Sequence, residues 1–284
     1  PFSLTMNPLV RLLNHSLFFF SIAAWVFTAT GQEKAHLALD SPFASFVEEG
    51  APYFPQTVDA RNFGEEAEPT NLSPRGIVIP AGNGYFACFD PDMLRWSLFW
   101  KENEGGEYLI MSGMGTGSYR LPNRKAPPGQ KALPHPLGTP LLATPLRPGT
   151  SSGEKPTLED SRDRGSAEDG ELGLGPIAPE SGRFSGIRLV GDIAQIEYTV
   201  GATQVRERIT SEVGKITRLL QVDPHPGKIH LRIGAGEADW LSLDASEAAT
   251  THRITLTENG IVSLASGTPF ENLPAPTRRW PESV

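Results

Sequence analysis

The residues best placed to do chemistry gather around one Asp-Pro-Asp break. The run Cys88-Phe89-Asp90-Pro91-Asp92-Met93-Leu94-Arg95-Trp96 carries two carboxylates and a guanidinium between two strongly apolar stretches. Asp90, Asp92 and Arg95 are expected to form a structural ionic corner where two strands leave the core. Arg95 is expected to be at least half buried, its fork of donors shared between a carboxylate and loop carbonyls. The alternative, that Arg95 points into a pocket and binds an anionic ligand, stays open. Trp96, Trp100 and Trp240 are candidate ligand-binding residues, because an exposed indole face can stack on a sugar ring. Tryptophans at i and i+4 of one strand are more often core. Asp90, Glu197 and Glu207 are the candidate carboxylates for a glycoside hydrolase or lyase, which needs two of them converging in one cleft. Glu197 and Glu207 flank a hairpin near Gly201, where such residues more often form a solvated face.

Other constellations carry less. His225 and His230 are five apart across a Pro-Gly turn, a spacing that does not favour a metal pair on one strand, and no metal is expected. Gly113-Met114-Gly115-Thr116-Gly117 lacks the spacing and lysine of a phosphate loop and reads as a β-loop. Cys88 is the single cysteine. It excludes an internal disulfide, a zinc site of paired cysteines and a C-x-x-C-H haem attachment, and it reads as a small buried hydrophobe. No G-x-S-x-G elbow and no H-E-x-x-H pair is present. No complete catalytic motif is therefore present, and no catalytic residue is assigned.

The elements that must position these residues read as strands. In 284 residues, 26 prolines and 29 glycines favour turns over long helices, while 38% hydrophobic content is enough for a core. The net charge of −8 gives no electrostatic reason to expect nucleic acid as a partner. Residues 1–31 have the three parts of a secretory signal: Met6 as the start, Arg11 in the n-region, an apolar Leu17 to Phe27, then Ala29-Thr30-Gly31 with cleavage between Gly31 and Gln32. The competing reading is a retained anchor, the only membrane contact expected. Both place the chain outside the cytoplasm, in the periplasm or cell envelope.

Beyond the signal, 32–70 reads as an extended entry segment. The first part of a β-sandwich follows at 71–120, with strands at Gly76–Ile79, Tyr85–Phe89 and Leu94–Trp100 and an Asn83-Gly84 hairpin turn. Leu94, Trp96, Leu98 and Trp100 alternate and are expected on one face. Residues 121–181 are Pro-rich and then charged, and read as a long insertion or linker, much of it mobile. The clearest strands lie in 182–266: Ile196, Tyr198 and Val200 alternate, and Val205, Glu207 and Ile209 continue the alternation past Gly201. On Lys228–Ile233, His230 and Arg232 are expected to point outward. Residues 267–284 read as the start of a linker. The predicted fold is mainly β, an antiparallel β-sandwich, large or double, interrupted by a long Pro/Gly-rich insertion.

Several of these runs resemble an uncharacterised N-terminal β domain of exported multidomain proteins of planctomycetes and verrucomicrobia. The carrying residues are Val58-Asp59-Ala60-Arg61, Asn71 to Ile79, Ala87-Cys88-Phe89-Asp90 with Leu94-Arg95-Trp96 and Trp100, and Ile196 to Gly201 with Val205-Arg206-Glu207. In that family the domain precedes a sugar-dehydrogenase-like β-propeller and a c-type cytochrome domain. The resemblance implies a non-catalytic module whose partners are downstream domains of the same polypeptide, in envelope redox or carbohydrate metabolism. It implies no cofactor in this chain, with haem expected only in a downstream domain. Polysaccharide is the partner under the alternative of a carbohydrate-binding module with an aromatic platform.

Overall fold

The computed structural model describes residues 50–61, 63–64, 70–110, 133–157, 159–160, 162, 175–236 and 238–266. The signal segment, the Gly113–Gly117 run and residues 267–284 lie outside them. Among the described residues every regular element is a strand. They are β1 (Phe54–Asp59), β2 (Leu72–Gly82), β3 (Tyr85–Asp90), β4 (Arg95–Lys101), β5 (Leu109–Ile110), β6 (His135–Pro136), β7 (Thr139–Ala143) and β8 (Thr150–Ser152). After these come β9 (Gly182–Val190), β10 (Ile193–Val200), β11 (Thr203–Glu212), β12 (Lys215–Val222), β13 (Ile229–Arg232), β14 (Trp240–Leu243), β15 (Thr250–Thr257) and β16 (Gly260–Ser266).

The chain folds as a mainly-β, sandwich-like structure of antiparallel sheets. One five-stranded sheet runs β1-β2-β3-β4-β7, and one six-stranded sheet runs β16-β15-β12-β11-β10-β9. Both are built largely of consecutive hairpins, which tight turns join at low loop cost. The β2–β3 turn uses Asn83 and Gly84 at φ 51° and 74°, the left-handed pair that a two-residue hairpin requires. A third sheet, β14-β13-β8, and the short pair β5-β6 complete the set.

The main core is shared by the two large sheets. Ile77, Ile79, Phe89, Trp96 and Phe99 from the first pack with Ile196, Tyr198, Val205, Ile209 and Leu220 from the second. The first sheet is buried on its other face too, where Phe54, Val78, Phe86, Leu98, Trp100 and Leu109 form a second cluster. Phe86 stacks on Tyr108 there, with ring centroids 4.1 Å apart. Tyr108 and Leu109 therefore act as a lid over that face.

Three sequence expectations change in the structure. Trp96 and Trp100 do not share a face: pairing runs Phe89↔Trp96 and Cys88↔Leu98, so β4 carries one extra residue, Ser97, against β3. That bulge turns the strand over, sending Trp96 to the inter-sheet core and Leu98 with Trp100 to the second cluster. His230 and Arg232 do not face water; β13 is the central strand of its sheet and all four of its residues are buried. The sheets also extend past the segment limits read from the sequence. β1 arises in the entry segment and pairs with β2, while β7 and β8, inside the insertion, pair with β4 and β13.

Candidate functional site

Two buried polar clusters hold the residues singled out by chemistry. The first is the corner between β3 and β4. Asp90 is the last residue of β3, and its Oδ1 accepts the Asp92 amide at 3.1 Å, a local turn that closes the strand end. Arg95, opposite Asp90 in register, is fully buried and donates through Nε to Asp90 Oδ2 at 3.1 Å. Its Nη1 reaches Asn71 Oδ1 at 3.1 Å and the carbonyls of Thr144 and Pro145, each at 2.8 Å. Nη2 reaches the Leu72 carbonyl at 3.3 Å. One guanidinium thus ties together the start of β2, the end of β3 and the chain leaving β7. It points at protein groups, not into a pocket that would take an anion.

Asp92 is buried beside this hub and is paired with the half-exposed Arg75, whose Nε donates at 3.0 Å. Burial pushes the Asp92 carboxyl above the usual carboxylate range, with Arg75 pulling against it. The insertion clamps the corner from outside: Gly149 N–H donates to the Met93 carbonyl and Ile177 N–H to that of Asp92, both at 2.8 Å. A Cβ at Gly149 would stand 2.3 Å from the Leu94 carbonyl oxygen and 2.4 Å from Arg95 Cα, so this approach needs glycine. Leu94 itself is held at φ 47°, a conformation a leucine seldom adopts, and its burial keeps it there.

The second cluster spans the main core. Glu207, on β11, is wholly buried, not part of a solvated face. Its Oε2 accepts the indole N–H of Trp96 from the opposite sheet at 2.9 Å and a short bond from Arg218 Nε. Its Oε1 accepts Arg218 Nη2 at 2.9 Å and the Tyr198 hydroxyl at 2.5 Å. Arg218 is buried as well and donates Nη1 to the Arg232 carbonyl at 2.7 Å. Burial alone would pull the Arg218 guanidinium down, but the Glu207 charge and hydrogen bond more than offset it and hold it up. Burial, the Glu207 charge and their hydrogen bond together push Tyr198 well above the usual phenol value. The carboxylate is thus charge-neutralised and supplied with four donors.

Trp96 and Trp100 present no ring face to solvent; both are buried, and the Trp100 indole N–H donates to the Tyr108 carbonyl at 2.8 Å. Trp240 is partly exposed, with the Arg232 guanidinium 4.7 Å over its ring. The three indoles form no platform. Glu197 faces the other side of the six-stranded sheet from Glu207 and pairs with Arg188 at 2.7 Å, so these two carboxylates do not converge. His230 is buried between Ser242 Oγ at 2.7 Å and the Gly153 carbonyl at 2.9 Å. No group of three or more His, Cys, Asp or Glu among the described residues is arranged to hold a metal ion. Among the same residues no helix is long and apolar enough to cross a membrane.

Cys88 is buried on β3, and desolvation pushes its thiol up to about 11. Because the thiolate is the reactive species, the native chain is expected to resist iodoacetamide at pH 8 and to be alkylated stoichiometrically in denaturant. The folded pKa is raised, so this group's contribution to stability is present at neutral pH and is lost as pH climbs toward 11. Mass spectrometry of native and denatured samples measures the difference, and rapid native labelling would contradict this burial.

Residues 87–207 match the family model of a domain of unknown function, DUF6797. The matched stretch takes in Asp90 to Arg95 and ends on Glu207, leaving Asn71, Leu72, Arg75 and Arg218 outside it. No curated protein and no solved structure matches the chain. The comparisons thus tie Asp90, Asp92, Arg95, Trp96, Tyr198 and Glu207, but not every partner they hold, to an uncharacterised domain family.

Proposed function

We propose that this chain is a non-catalytic β-sandwich module of an exported multidomain protein, accessory to downstream redox or sugar-dehydrogenase-like domains. The observation that carries the reading is the employment of Glu207. A general acid or nucleophile must reach substrate and exchange a proton. Among the described residues Glu207 reaches Trp96, Tyr198 and Arg218, and both of its oxygens are taken. Arg95 and Asp90 are used up in the same way, as ties between strands. The chain is exported by its N-terminal signal, into the periplasm or cell envelope. It needs no cofactor of its own, and haem belongs to a downstream domain. Its partners are the domains that follow it.

The test is to read the gene onward from the Val284 codon and to assay the chain it encodes. The frame is expected to continue into a β-propeller and a C-x-x-C-H haem segment. The present chain alone is expected to release no reducing ends from polysaccharides. A stop codon directly after Val284, or turnover abolished by Glu207→Gln, would overturn the reading.

A further inference from the structure

The sequence holds two Asn-Gly pairs, Asn83-Gly84 and Asn259-Gly260. Each lies at the tight turn of a hairpin, the first between β2 and β3, the second between β15 and β16. Asparagine is among the chemically labile residues, and a following glycine puts no Cβ beside the backbone nitrogen that attacks it. That nitrogen bonds to the asparagine Cγ, and the bond from Cγ to Nδ2 breaks. Ammonia leaves, carrying the proton that the backbone nitrogen gives up. Water then opens the cyclic imide at either carbonyl, leaving aspartate or isoaspartate. Nothing is oxidised or reduced, and water is the one co-reactant.

The fold holds the two asparagines differently. Asn83 is in the left-handed region, at φ 51°. Its Nδ2, the leaving group, donates to the Ser211 carbonyl at 3.2 Å and to Ser211 Oγ at 3.1 Å, across to the other large sheet. Ser211 Oγ is itself fixed, lying 2.8 Å from the Ala81 and Gly82 carbonyls. Ring closure at Asn83 therefore has to undo both a left-handed turn and this tie. Asn259 has neither restraint. It is exposed, stands outside the left-handed region, and its side-chain amide makes no hydrogen bond among the described residues. Its backbone amide donates to Thr257 Oγ1 at 3.2 Å. The strand that follows, β16, is the end strand of its sheet and pairs with β15 alone.

We propose that Asn259 is a site of spontaneous hydrolytic deamidation in the folded chain, and that Asn83 is its guarded counterpart, held back by Ser211. The new carboxylate falls beside Glu258, which pairs with Lys101 at 3.0 Å. An isoaspartate also adds a carbon to the backbone of the turn that carries β16.

The full chain is incubated at mildly alkaline pH, where the attacking nitrogen loses its proton more easily, both folded and in guanidinium chloride. Peptide mapping by mass spectrometry, with enzymatic methylation to mark isoaspartate, follows both pairs. In the folded chain Asn259 is expected to convert about tenfold faster than Asn83, the factor that two retained hydrogen bonds supply. In denaturant the two rates are expected to converge. Ser211→Ala is expected to speed Asn83 severalfold and to leave Asn259 unchanged. Equal rates in the folded chain, or no conversion of Asn259 there, would overturn the proposal. So would the same inequality persisting in denaturant, which would assign it to the neighbouring residues in sequence, or a Ser211→Ala chain with Asn83 no faster. Should Ser211→Ala fail to fold, the comparison of folded and denatured parent chain decides alone.

Discussion

Arg95→Ala is expected to destabilise the chain by about 3–5 kcal/mol, the range found when one partner of a buried ion pair is removed. The side chain is fully buried and its donors serve Asp90, Asn71, Leu72, Thr144 and Pro145. Truncation strands the Asp90 carboxylate in the core and leaves the Leu72, Thr144 and Pro145 carbonyls short of a donor. For a domain of this size each kcal/mol corresponds to about 2–4 °C, so the melting temperature should fall on the order of 10 °C. Arg95→Lys is expected to recover only part of the loss. A lysine offers one point charge and cannot fork between Asp90 on one side and Thr144 and Pro145 on another. Thermal unfolding of both variants, followed by circular dichroism, measures this. An Arg95→Ala chain with an unchanged melting temperature would show that the corner does not hold the strands together. If that chain had also lost binding of an anionic ligand, the pocket alternative for Arg95 would be the correct one.

The corner was legible in the sequence because its signal is local. Two apolar runs flank Asp90-Pro91-Asp92, and a breaker so placed puts its charges where strands leave the core. The hairpin around Gly201 was legible for the same reason, since the alternation of Ile196, Tyr198 and Val200 is continuous. The positions of β1, β7 and β8 were not. They span six, five and three residues, and Pro55 and Pro140 interrupt two of them, so neither length nor period announces them. What fixes them is pairing with β2, β4 and β13, a non-local fact. The bulge at Ser97 was hidden too, because a strict period-2 reading of β4 cannot register an extra residue. Glu207 is the instructive case. Its parity matches Val205 and Ile209, both inward, so the alternation already placed it in the core. An acid on a hairpin reads as solvent-facing by residue type, and here the period of the strand decides against it. Arg218, between Ile216 and Leu220 at inward parity on the next strand, was the matching half of the signal.

That pair supports the second large effect. Pairing runs Glu207↔Leu220 and Ile209↔Arg218, so acid and arginine are diagonal neighbours on the inner face of β11 and β12. The Trp96 indole from the other sheet meets the same carboxylate, so Glu207 pins sheet to sheet. Glu207→Leu is expected to cost about 3–5 kcal/mol, because it leaves the Arg218 guanidinium buried without its counter-charge. It also orphans the Tyr198 hydroxyl and the Trp96 N–H. Arg218→Met is expected to cost a similar amount by stranding the carboxylate. The double variant Glu207→Leu/Arg218→Met should be more stable than either single variant, since no uncompensated charge remains and apolar groups fill the seam. A double-mutant cycle by urea unfolding gives the coupling directly, expected to exceed the cost of either single variant and so to be more than about 3 kcal/mol. Additive costs, with the double variant the least stable of the three, would mean that Glu207 and Arg218 act independently and that the seam is not held by their pairing.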